Sequence, residues 1–178
     1  MFYNFLKPRK AFEEALANEN LSDAWIIALL TGVMFGISAW LFSGETYPAI
    51  GMTILMILQW VILAGIIYVF EFMMKNKKKR IAERSFGEII SATGKLWELV
   101  LILSILLIAS IVIKHELISI TIWILLTIIG ILFLYNLFIL LKVVLDAKNL
   151  RTFVSLILVL IIHTLLTQFV LMIMGIIL

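Results

Sequence analysis

Long runs of apolar residues separated by short polar connections set out this chain. Hydrophobic side chains dominate from Ala24 to Phe42 and from Pro48 to Met74, and again across 96–113, 117–141 and 153–178. The hydrocarbon layer of a bilayer is about 30 Å thick, so a helix needs roughly 20 apolar residues to cross it. The pattern therefore predicts an all-α membrane bundle of five transmembrane helices, at about 24–42, 48–74, 96–113, 117–141 and 153–178. Residues 24–178 read as one transmembrane domain, with nothing following the last span.

The first 23 residues have a different rhythm. Phe5, Ala11 or Phe12, Ala15 and Leu16 recur at helical spacing, with Lys10, Glu13 and Glu14 opposite them, and Pro8 suits a first turn. This predicts a cytoplasmic amphipathic segment over 1–23. Phe2, Tyr3, Phe5 and Phe12 beside Lys7, Arg9 and Lys10 fit an interfacial helix in the headgroup layer; packing beneath the bundle fits equally. Charges and a proline precede any long apolar run, which is unlike a cleavable signal, so the first span is expected to be retained.

Small residues recur at every fourth position of the first span, at Ala24, Ala28, Gly32 and Gly36, the last two forming a GxxxG. Lipid gives helices little hydrophobic drive to associate, so a smooth face that permits close backbone approach is a packing face. Its partner is either another helix of this chain or a second copy in a homo-oligomer. Pro48 opens the second span after a turn at Ser43–Tyr47. Beyond the second span, Ser85 and Glu88 have capping-box spacing. They predict a surface helix leading into a short third span, with Trp97 at the membrane interface.

Composition fits the pattern. Hydrophobic residues make up 64% of the chain and mean hydropathy is +1.20, outside the range of water-soluble domains. With no cysteine, disulfides, thiol chemistry and thiolate metal sites are excluded.

Charge adds direction. Half of the 14 Lys and Arg lie between the second and third spans, at Lys75, Lys77, Lys78, Lys79, Arg80, Arg84 and Lys95. With a cytoplasmic N-terminus, all 14 except Lys114 fall on the inner side of a five-span path, which leaves the C-terminus outside. In this setting the basic cluster implies no nucleic acid. It marks the inner side and favours anionic headgroups at about 1 kcal/mol per residue near a charged leaflet. The cluster is therefore a lipid-binding or partner-binding candidate, a cytoplasmic protein being the second occupant.

Catalytic groups do not assemble in the sequence. There is no HExxH, no GxSxG elbow and no pair of aspartates in facing spans, so no enzyme activity, cofactor or metal is expected. Four polar residues deep in spans, Gln59, Asn136, His163 and Gln168, are candidates for a central cavity; a satisfied interior histidine is the plainer account of His163.

Taken together, the chain resembles the Yip1 family of five-span membrane proteins, in its prokaryotic or archaeal branch. The residues that carry the resemblance are Pro8, Phe12 and Leu16 before a first span with Gly32 and Gly36. Ser85, Phe86 and Gly87 follow ahead of the third span, and Leu134, Tyr135, Asn136 and Lys142 toward the end of the fourth. The resemblance implies a cytoplasmic N-terminus and, for eukaryotic members, vesicle trafficking through small GTPases. The DLYGP-type segment of those members is absent here, Leu134–Tyr135–Asn136 being the nearest approach.

The leading expectation is thus a non-enzymatic scaffold or adaptor of the Yip1 type, linked to membrane organisation or trafficking through its cytoplasmic face. The alternative is a small transporter or substrate-binding membrane subunit with a polar midplane cavity. Membrane shaping by a wedge of short spans and an interfacial helix is a third.

Overall fold

The computed structural model describes residues 7–74, 84–113 and 116–173, and every regular element among them is helical. The helices are α1 (Pro8–Ala17), α2 (Leu21–Ser43), α3 (Thr46–Met74), α4 (Phe86–Val112), α5 (Glu116–Leu145) and α6 (Asn149–Ile173). The last five are each long and apolar enough to cross a membrane. Large apolar side chains such as Phe42, Ile131, Leu165 and Met172 are left exposed on their outer faces. Such a surface is stable only in hydrocarbon.

Local signals fix the helix ends. Pro8 lies in the first turn of α1, where an amide N–H has no helical partner to lose. Asn20 caps α2, its side chain accepting from the Asp23 N–H at 3.3 Å. Gly44 ends that helix in the left-handed region (φ 74°), its N–H donating to the Trp40 carbonyl at 2.7 Å. The turn into α3 is shorter than its polar residues suggest, because α3 begins at Thr46 and takes Pro48 into its first turn.

One element corrects the sequence reading. The surface helix and short third span are a single helix, α4, of 27 residues. Ser85 and Glu88 do form the capping box, but nothing interrupts the helix after it. Ile89, Ile90, Ser91, Ala92, Thr93 and Gly94 are all buried. Beside its two isoleucines the stretch holds small or polar residues, which is why it looks interfacial, and at Ser91 and Gly94 these let α2 come close. The wedge reading, which drew on short spans and an interfacial helix, loses the support of a short third span. The other spans move by a few residues, to the ranges of α2, α3, α5 and α6.

Packing explains the order. Helix α2 lies in the groove between α3 and α4, its most extensive neighbours, and α5 and α6 close the far side against α4 and α3. Trp60, Leu63, Ala64 and Ile67 of α3 face this common core and are almost wholly buried. The small-residue stripe of α2 is used within the chain, from two sides. A Cβ on Gly32 would stand 2.8 Å from the Thr53 carbonyl oxygen of α3, and one on Gly36 would strike the Thr53 hydroxyl. Ala24 instead meets α4, where a Cβ on Gly94 would be 2.5 Å from the Ala24 methyl, and Ala28 is fully buried.

Helix α1 turns Ala11, Phe12, Ala15 and Leu16 against α4 and α5, while Arg9, Lys10, Glu13 and Glu14 remain outside. Of its two candidate placements, these are the contacts of packing against the bundle. It covers the end of the bundle where α4 starts and α5 finishes, the basic end.

Candidate functional site

Polar side chains gather in two places, the basic end and a cavity at mid-depth. The loop residues Lys75, Lys77, Lys78, Lys79 and Arg80 lie outside the described residues, as do Lys114 and His115. Arg84, the last of the lipid-binding candidates, is described. Its Nη2 donates to the Val143 carbonyl of α5 at 3.2 Å, and its Nε stands 3.9 Å from Glu71 Oε1 at the foot of α3. The Glu71 side chain is only 5% exposed, so a cation beside it offsets the cost of burying a carboxylate. Arg84 thereby ties the start of α4 to α3 and α5.

Further basic residues close the same end. Arg151 Nη2 donates to the Met74 carbonyl at 2.8 Å, satisfying a carbonyl at the C-terminus of α3. Lys95 pairs with the buried Glu98 at 3.0 Å. Lys7, Arg9 and Lys10 border a shallow hollow of about 430 Å³ with Pro8, Glu13, Tyr135 and Ile139. Arg9 holds its proton more tightly than a free arginine, chiefly through its hydrogen bond to Glu13, with a lesser attraction from Asp146. A narrower cleft of about 150 Å³ between α1, α2 and α4 is lined by polar groups including Glu14, Asn20, Asp23, Ser91 and Lys95. The Asn20 N–H donates to Ser91 Oγ at 3.1 Å beside it.

The mid-depth cavity is a half-open space of about 260 Å³ between α3, α4, α5 and α6. Gln59 and His163, two of the four polar candidates, line it and touch: His163 Nε2 is 3.2 Å from the Gln59 backbone carbonyl. A carbonyl only accepts, so Nε2 carries the proton and, in the neutral ring, Nδ1 is left as an acceptor. The other two candidates are elsewhere. Asn136 is buried and donates to Leu132 O of its own helix at 2.8 Å, while Gln168 is exposed on α6. The four do not form one polar pocket.

Two lining residues carry signals that pattern reading passes over. Trp97 reads as an interfacial aromatic but is 3% exposed, and its indole N–H makes no hydrogen bond among the described residues. Gly130 interrupts a run of large apolar side chains, and a Cβ placed on it meets nothing within 4 Å. The gap in that run is the sequence trace of the cavity. Among the described residues no three His, Cys, Asp or Glu side chains are grouped to hold a metal ion.

The family model for the Yip1 domain matches residues 3–172, nearly the whole chain. No curated protein and no solved structure gives a significant match.

Proposed function

Since the chain belongs to the Yip1 domain family, we propose that it acts as a non-enzymatic membrane scaffold or adaptor whose basic end engages anionic lipid headgroups at the cytoplasmic face. One observation carries this reading. Arg84, Lys95 and Arg151 bind partners inside that end, and outside it Arg9 and Lys10, in exposed ion pairs with Glu13 and Glu14, border with Lys7 an open hollow beside Tyr135. The exposed cations and the sequence run Lys75–Arg80 thus add to one field at one end of the bundle. The positive-inside rule puts that end, and the N-terminus, in the cytoplasm and the C-terminus outside. In this placement α1 lies at headgroup level while its apolar face stays docked. An acidic cytoplasmic protein is the further partner the same field would attract, and a role in membrane organisation or trafficking would follow from it.

The test uses the full chain in nanodiscs of mixed phosphatidylglycerol and phosphatidylcholine, with co-purifying lipid measured by mass spectrometry. Replacing Lys75, Lys77, Lys78, Lys79 and Arg80 by Gln is expected to lower phosphatidylglycerol enrichment severalfold, the more so at low salt. Unchanged enrichment would contradict the reading.

Transport of a polar solute is less well supported. Of its four residues only Gln59 and His163 share a cavity. Every other residue lining that cavity is Gly, Trp, Met, Leu, Ile, Val or Phe.

A further inference from the structure

We propose that the outward face of α6 is a contact between two copies of this chain, closed by hydrogen bonds between their Gln168 side chains. Helix α6 is the least enclosed of the five spans and packs chiefly against α3 and α5. Its core side carries Thr152, Ser155, Val159 and Leu171, which are buried. On the far side Val154, Leu158, Ile161, Leu165, Gln168 and Met172 are all exposed. They follow one another at alternating steps of four and three residues, the period of a seam between two helices.

Five of these six side chains suit hydrocarbon, and Gln168 does not. Its amide has two N–H donors and a carbonyl acceptor, it makes no side-chain hydrogen bond among the described residues, and acyl chains supply no partner. Depth keeps it from water. His163 meets the Gln59 carbonyl near the middle of α3, and Gln168 is five residues further along α6, about 7.5 Å. The Thr46 end of α3 is roughly 20 Å from Gln59, which leaves Gln168 about 12 Å short of it. A helical side chain leans toward the N-terminus of its own helix, so the Gln168 amide is directed back toward the middle of the bundle, away from the nearer headgroups.

Symmetry selects the partner. The one-sided distribution of Lys and Arg inserts every copy the same way up, so two copies side by side are parallel. A two-fold axis along the membrane normal then sets each seam residue of α6 opposite itself at one depth. An amide is its own complement: the N–H of one Gln168 donates to the carbonyl oxygen of the other, and the exchange is reciprocal. A polar residue at one position of an apolar seam fixes its register, and amide hydrogen bonds hold helices together in lipid. The small-residue stripe of α2, which the sequence offers as a contact between copies, is occupied by Thr53 and Gly94 of the same chain and leaves this role to α6.

The experiment places the full-length protein in liposomes at graded protein-to-lipid ratios and reads self-association by energy transfer between donor-labelled and acceptor-labelled copies. The unaltered chain is expected to dimerise. Gln168→Leu should weaken the dimer about tenfold without lowering thermal stability, and Gln168→Asn, which keeps an amide, should lose far less. In native membranes Leu165→Cys, on the seam, should form a disulfide-linked dimer on mild oxidation, while Val33→Cys, also exposed but on α2, should not. A monomeric unaltered chain, undiminished association in Gln168→Leu, or equal crosslinking at both positions would each overturn the proposal. So would crosslinking of Leu165→Cys to a different polypeptide with no dimer, which assigns the seam to another protein. Should Gln168→Leu fail to fold, the two cysteine variants decide the matter by themselves.

Discussion

At the level of single residues, glycine is informative where its missing side chain is matched by a neighbour. Gly94 and Gly130 both lie inside spanning helices, yet their surroundings are opposite. A methyl on Gly94 would stand 2.5 Å from the Ala24 methyl, whereas one on Gly130 would meet nothing. Gly94→Ala is therefore expected to cost about 2 kcal/mol through overpacking of α2 on α4, while Gly130→Ala leaves stability unchanged or raises it slightly. Thermal unfolding in one detergent would compare them, and equal losses would contradict the packing. Arg84 makes a second case, since its removal strips a cation from a carboxylate almost wholly out of solvent. Arg84→Ala should destabilise by roughly 2 kcal/mol, and the double change Glu71→Gln with Arg84→Ala by less than the sum of the two single changes. The every-fourth-residue stripe from Ala24 to Gly36 is legible in the sequence because helical spacing is local. Its partners Thr53 and Gly94 are not, because the register between two helices is a property of the whole bundle.

At the level of elements, α4 shows where pattern reading meets its limit. Its start is written plainly in Ser85 and Glu88, and the capping box forms as that spacing requires, with both hydrogen bonds near 3 Å. The segment from Gly87 to Lys95 is short of large apolar side chains and so resembles a helix at the surface. Small size and membrane exposure produce the same hydropathy, and only the neighbour distinguishes them. Here the neighbours are α2, through Ala24 and the hydrogen bond from its capping residue Asn20 to Ser91, and α1. The capping box is exposed, so Ser85→Ala should cost about 1 kcal/mol. Hydrogen exchange should show this loss as faster opening confined to the first turns of α4; uniform loosening of the bundle would argue against a local cap. Helix α1 is similar, in that its amphipathic period is legible but the surface its apolar side meets is not.

For the molecule as a whole, the number of spans is legible because two independent patterns agree on it. The apolar runs give five, and the distribution of Lys and Arg then falls on one side of the membrane except for Lys114. The lateral arrangement is another matter. That α3 touches every other spanning helix, and that the four helices α3 to α6 leave a space between them, depends on side-chain volumes across the core. This is why Gln59 and His163 meet while Asn136 and Gln168, equally polar and equally deep by sequence, do not. The proposed lipid-facing role depends on the side to which the basic end is turned. The chain contains no cysteine, so single thiols report on that side without background. The decisive measurement is labelling of Asn76→Cys and His115→Cys by a membrane-impermeant maleimide, in intact cells and in inverted vesicles. The account predicts that Asn76→Cys reacts only in inverted vesicles and His115→Cys only in intact cells. Reaction of both from the same side, or the reverse assignment, would contradict it.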